Sequence, residues 1–161
     1  MGMQYDVKSY HASTSGLAVP YRTRLKGVVI SPVSSTTYNT TIVDDLAQTG
    51  TYDVPGTTTC TVTIANHGLT TGTRVYLDFT SGTATDNTFE VTVVDANSFT
   101  VTVTSATTNG NVTMYAEILT ELDCSSGTSF YTLIPGEGVL ADHGIRVFLP
   151  PANVTATIFY G

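Results

Sequence analysis

Tryptophan is absent from this chain, lysine and cysteine occur twice each, and only 12% of its 161 residues carry charge. Each shortage excludes something. Six Lys and Arg stand against 13 Asp and Glu, a formal charge of −7 with no clustered cationic stripe of the kind phosphates demand. Nucleic acid and anionic membrane are therefore not expected partners. No apolar run reaches the length of a membrane span, and residues 1–10 carry Asp6 and Lys8 where a signal peptide would need an apolar centre. Cys60 and Cys124 lie far apart with no Cys-x-x-Cys pair, which predicts two small buried or half-buried thiols rather than a disulfide framework or a zinc site. A disordered acidic tail is excluded as well, since 41% of the residues are hydrophobic.

What the chain has in excess is threonine, at 32 residues. Thr is β-branched and fits a half-buried pleated surface, so the excess predicts strands. Period-two alternation supports this along nearly the whole length: Val75, Leu77 and Phe79; Phe89, Val91 and Val93; Phe99, Val101 and Val103; Ile145, Val147 and Leu149; Val154, Ala156 and Ile158. Leu25, Gly27 and Val29 are likewise expected on one face, opposite Lys26, Val28 and Ile30. Turn clusters such as Asn66-His67-Gly68, Ser81-Gly82, Asp95-Ala96-Asn97 and Pro135-Gly136 separate the runs. Residues 42–48 are the best helical stretch and are too short to count. The expectation is an all-β protein.

The threonines crowd into the middle of the chain, where Arg74 is the only basic residue. The other five cations and most prolines lie outside it. This predicts a discontinuous outer β-sandwich, jelly-roll-like, from residues 1–50 plus 115–161, carrying an inserted small β-barrel-like module at 51–114.

Candidate chemistry is sparse. Pro135-Gly136-Glu137-Gly138 contains Gly-x-Gly, but a strand follows it where a dinucleotide site needs a helix, so it reads as a turn. Glu137, Asp142, His143 and Arg146 hold acid–base groups without a nucleophile elbow. His11, His67 and His143 lack zinc spacing, and Asp44-Asp45 lacks the alternating oxygens of a calcium loop. No catalytic residue, cofactor or metal is expected, and the chain does not read as an enzyme. Arg22, Arg24 and Lys26 hold half of the positive charge and alternate along one strand. They read either as gatekeeping charges on an exposed edge or face, or as an electrostatic contact with an acidic neighbouring subunit. Phe148, Phe159 and Tyr160 exceed what one sheet face can bury, which points to an interface in a homo-oligomer.

Two stretches resemble known families. Asn66-His67-Gly68-Leu69, Gly72, Val75-Tyr76-Leu77 and the run from Val93-Val94-Asp95 through Phe99-Thr100-Val101 resemble a small β module of phage virion proteins, similar to the first catalytic cysteine half-domain of ubiquitin-activating enzymes. No catalysis follows from that likeness. Met3-Gln4-Tyr5-Asp6-Val7-Lys8, the run from Pro20-Tyr21-Arg22 to Lys26-Gly27, Ile134-Pro135-Gly136-Glu137-Gly138 and Ile158-Phe159-Tyr160-Gly161 resemble small virion proteins of marine tailed phages. The resemblance implies a non-enzymatic structural protein on the virion surface, assembled in the host cytoplasm. It would decorate or cement the capsid, with capsid or other virion proteins and further copies of itself as partners, a trimer being one arrangement. The alternative is a tail or fibre component that binds a host-surface glycan or protein.

Overall fold

The computed structural model describes residues 7–32, 38–124, 128–150 and 154–161. Strands and turns account for them, without a helix among the described residues. Two compact units emerge: Met1–Asp45 with Leu119–Gly161, and Leu46–Ile118.

The first unit is a two-layer sandwich. One sheet has the order β1 (Lys8–Ala12), β14 (Val154–Tyr160), β3 (Thr23–Pro32) and β11 (Phe130–Leu133), with β12 (Val139–Ala141) also pairing β3. The other runs β10 (Ile118–Cys124), β4 (Tyr38–Asp44), β13 (Ile145–Phe148) and β2 (Gly16–Val19). The pairs in both sheets for which a register is resolved are antiparallel. Alternation turns one face of each sheet inward, so Leu25, Val28, Ile30, Ala156 and Ile158 meet Val19, Ile42, Ile145 and Val147 in a single core. A fully buried aliphatic side chain of this kind contributes about 1.5–3 kcal/mol.

Strict period two fails inside β3. Leu25, Val28 and Ile30 are all fully buried, which no unbroken alternation allows. The pairing with β14 explains it: Phe159 registers with Gly27 and the next residue, Tyr160, with Leu25. One residue, Lys26, is extra on β3, a β-bulge that reverses which face the odd-numbered residues occupy. The expected grouping of Leu25 with Val29 is thereby corrected.

The second unit is built on a long ribbon, β5 (Ala47–Thr63) against β9 (Ser98–Tyr115), with β6 (Arg74–Asp78) on β9, β7 (Asn87–Glu90) on β6, and β8 (Thr92–Asp95) on the far part of β9. Register shifts around Thr57 bend the ribbon. The bend is strong enough that a Cβ on Gly50 would strike the carbonyl of Thr63, at the other end of the same strand. The curvature is that of a barrel, but the sheet stays open: its order ends at β5 and β7 without a pairing between them among the described residues. Cys60, Val62, Val75, Leu77, Phe99 and Met114 fill its core. Cys60 is the buried thiol expected from the sequence, while the Cys124 side chain lies outside the described residues.

The turn after β5 is pinned by a histidine. Leu69 donates its backbone N–H to His67 Nδ1 at 3.1 Å, and His67 Nε2 lies 2.9 Å from the Asp95 carbonyl oxygen. With Nδ1 accepting, Nε2 carries the proton and donates. The ring also stands edge-on to Phe99, with centroids 5.3 Å apart. His67 is thus a structural clamp.

Candidate functional site

The outward face of the β1–β14–β3–β11 sheet is the surface on which the sequence-derived interface residues can be tested. Residues directly opposite on antiparallel strands share a face. Phe159 is paired with Ser9 on one side and Gly27 on the other, and Gly27 with Leu133. Thr157 is paired in the same way with His11 and Val29, and Val29 with Tyr131. A hydrogen bond of 3.0 Å between His11 Nδ1 and Thr157 Oγ1 runs across this face. Val28, Ile30 and Ile158 are buried on the opposite face, so these rows point away from the core.

Gly27 makes the apolar part continuous. A Cβ there would stand 3.0 Å from the Thr132 carbonyl oxygen and 3.7 Å from Leu133 Cδ1, so Leu133 packs over the glycine. Phe159 and Val29 are half-buried, whereas Tyr131 is 58% and Leu133 65% exposed. Four apolar side chains on three adjacent strands thus face solvent together.

The cations border this patch, and none of them stands alone. Arg24 projects from β3 on the outward side, its Nη1 donating to the Gly138 carbonyl at 3.3 Å and its Nη2 lying 3.8 Å from Glu137 Oε2. Lys26, the bulge residue, donates through Nζ to the Glu137 carbonyl at 2.7 Å. Arg22 lies before the strand and pairs through Nε with Asp142 Oδ1 at 2.7 Å. The turn at 135–138 and Asp142 therefore compensate much of the positive charge. These pairs are solvent-exposed and each contributes little to stability, within about 0–1 kcal/mol. The strand itself is interior, bounded by β14 on one side and by β11 and β12 on the other, so of the expected exposed edge or face the edge is excluded for Arg24 and Lys26, and Arg22 lies outside the strand.

The other aromatics divide. Phe159 joins the outward face. Phe148 does not: it sits on β13 in the other sheet and is 7% exposed. Tyr160 follows the unbroken alternation of β14, on the same face as Ala156 and Ile158, and packs against the sandwich core, edge-on to Tyr21 with centroids 6.5 Å apart. The Tyr21 hydroxyl bonded to it, with some burial, pushes the Tyr160 phenol above its usual range. Tyr131, Leu133 and Val29 were not among the sequence-derived interface residues. The available signal was the short run of strand formers Phe130-Tyr131-Thr132-Leu133 bracketed by two turn clusters.

The groups considered for acid–base chemistry go to separate partners. Asp142 meets Arg22, Glu137 meets Arg24, Asp44 meets His143 at 2.9 Å, and Asp45 meets Arg146 at 2.5 Å. Among the described residues no three His, Cys, Asp or Glu side chains converge as a metal-ligand set. No described helix is long and apolar enough to cross a membrane.

In the second unit, a groove of about 550 Å³ is lined by Val54, Phe89, Thr83, Thr102, Thr104 and Ser105, among others. Its hydroxyls share the lining with the apolar side chains of Val54, Ala84, Phe89, Val103 and Ala106.

No family model and no curated protein matches the sequence. Among solved structures the chain is similar to the phage phi92 endosialidase, at 20% identity and a TM-score of 0.36, over 80% of this chain and 20% of that one. The chain therefore spans about a fifth of the length of that protein, and the likeness is too loose to carry a function across.

Proposed function

We propose that this chain is a non-enzymatic virion structural protein whose first unit docks on a neighbouring subunit through the outward face of its β1–β14–β3–β11 sheet, decorating or cementing the capsid surface. The observation that carries this reading is the outward-facing apolar row of half-buried Phe159 and Val29 with exposed Tyr131 and Leu133, beside the polar shelf of Arg24, Lys26 and Glu137. Apolar centres with polar rims are how protein interfaces combine affinity with orientation. Adhesion of this kind needs buried area repeated across many subunits and no reacting group. Cryo-EM of the particle that carries the chain tests it. The expected result is density for the first unit against the head, with Phe159 and Leu133 at the contact. Finding the chain only on the tail, or absent from the particle, would overturn the decoration reading.

A second reading rests on the groove of the second unit. Its hydroxyls and Phe89 suit a neutral saccharide, which a tail or fibre component would use to hold a host surface. Glycan-array binding lost on Phe89→Ala, in a variant that unfolds like the parent protein, would support this reading over the first.

A further inference from the structure

Every sheet here ends in edges that pair with no further strand among the described residues, and the N–H and C=O groups along such an edge invite another strand, so proteins ordinarily blunt them. β1 carries Lys8 and His11, β10 carries Glu121 and Asp123, β7 ends on Glu90, and β5 holds Asp53 and Pro55. β2 is interrupted by a bulge against β13, β8 ends on Asp95, and β12 is three residues long. β11 has none of these devices. Phe130-Tyr131-Thr132-Leu133 holds no charge and no proline, and it pairs with β3 without a register shift. Phe130, Tyr131 and Leu133 are 43%, 58% and 65% exposed.

The backbone shows which groups face the open edge. Ile134 donates its N–H to the Lys26 carbonyl on β3 at 2.9 Å. In an antiparallel strand the direction of both backbone groups alternates, so Phe130 and Thr132 also point toward β3. The N–H and C=O of Tyr131 and Leu133 point the other way, to the edge of the sheet. The side chains of these two residues stand on the outward face, perpendicular to that edge.

We propose that β11 pairs antiparallel with β11 of a second copy of this chain about a two-fold axis. Tyr131 lies opposite Leu133 of the second copy, and Thr132 lies opposite Thr132. Two requirements, met together wherever odd-numbered residues face odd-numbered ones, narrow the register, and only Tyr131 opposite Leu133 places two such pairs inside β11. Side chains on the outward face must meet side chains on the outward face, and residues with edge-directed backbone groups must meet each other. Pairing Tyr131 with Leu133 satisfies both and does so twice, each pair exchanging both of its backbone hydrogen bonds. It also creates two aromatic–aliphatic cross-strand pairs and one Thr–Thr pair, contacts that stabilise sheets. Because the pairing uses the backbone edge, the outward side chains remain available for docking, and this inference goes beyond the virion reading without depending on it. Four residues per copy bury far less than the roughly 1,200–2,000 Å² of a standard interface. Association of the free chain is therefore weak, and it strengthens where copies are held close together.

Sedimentation velocity of the full chain across micromolar to millimolar concentrations tests this. The parent protein is expected to shift from monomer to dimer. Leu133→Lys places an edge charge opposite Tyr131 and is expected to weaken association about tenfold or more while leaving the urea midpoint unchanged. The double variant Tyr131→Lys with Leu133→Glu sets Lys opposite Glu twice in this register and restores the dimer. In a register that pairs position 131 with itself, the two introduced lysines would face each other and the dimer could not return. A parent protein that stays monomeric throughout, a Leu133→Lys variant that dimerises as the parent does, or a double variant that fails to reassociate overturns the proposal.

Discussion

Asp44 gives both carboxylate oxygens to one residue, His143. Oδ1 accepts the His143 backbone N–H at 2.8 Å and Oδ2 meets its Nδ1 at 2.9 Å. The Asp44 side chain has no exposure, while that of His143 is 49% exposed. The contact fastens the end of β4 to the turn that enters β13, where Asp44 is also paired with Ile145. Asp44→Ala leaves the partly buried His143 N–H without this acceptor and empties the space of a fully buried side chain, and is expected to cost about 3 kcal/mol. Asp44→Asn keeps one acceptor oxygen and should cost about 1–2 kcal/mol. Urea unfolding reads both, and an Asn variant as stable as the parent would show that the charge plays no part.

Two aspartates of the second unit give opposite pH dependences. Backbone donation from Asn97, helped by Ser98 and by His67, holds Asp95 below its usual range. A depressed acid stabilises the fold above its unfolded value near 3.8, and that contribution is lost as pH falls through the folded value. Burial lifts Asp86 above 3.8, against the hydrogen bond it accepts from the Phe79 N–H at 2.7 Å. A raised acid costs stability at neutral pH, and the cost disappears below the unfolded value. Asp86→Asn keeps the acceptor oxygen and removes the charge. It is expected to raise the urea midpoint at pH 7 and to converge with the parent below about pH 3.8. An equal gain at both pH values would place the effect elsewhere.

Gly82 holds φ at +84° with no room for a side chain: a Cβ would strike the Tyr52 hydroxyl and the Asn109 carbonyl. Tyr52 uses that hydroxyl to donate to the Ser81 carbonyl at 2.9 Å. Gly82→Ala is expected to cost about 2–4 kcal/mol, and Tyr52→Phe about 1 kcal/mol. Since Tyr52→Phe removes an atom the new methyl would hit, the double variant should lose less than the two singles together. Strict additivity would mean that the backbone angle alone sets the cost.

Cys60 is fully buried, and burial, with Asp53 adding to it, pushes its thiol up to about 11. The reactive thiolate is scarce at neutral pH. Alkylation of the Cys60 peptide, followed by mass spectrometry, should be slow in the native protein and fast in urea. Equal rates would mean that the second unit opens readily around β5.

The strand class was legible because Thr content and alternation act locally. Val75, Leu77, Ile145, Val147, Val154, Ala156 and Ile158 are buried as their spacing implies. Alternation misled where the third dimension intervened. One extra residue at Lys26 reverses the faces of β3, while on β14 unbroken alternation keeps Tyr160 inward and Phe159 out. The partners of Arg22, Arg24 and Lys26 were not legible along the chain because Glu137 and Asp142 lie more than a hundred residues away. The same holds for Phe148: its aromatic character was visible, but burial in the second sheet depends on pairings that no local pattern displays. β11 was passed over because four residues between turns give too little periodicity to register.

β3 has a consequence for synthesis. Its neighbours β11, β12 and β14 begin at residues 130, 139 and 154, so the strand leaves the ribosome long before any of them exists. The second unit has its strands in hand once residue 118 has emerged. Chains grow from the N-terminus and domains fold as they complete, so the second unit closes first, while β3 waits with both edges open. That interval is when the chain is most exposed to wrong strand pairing, and it ends only when β14 is laid down.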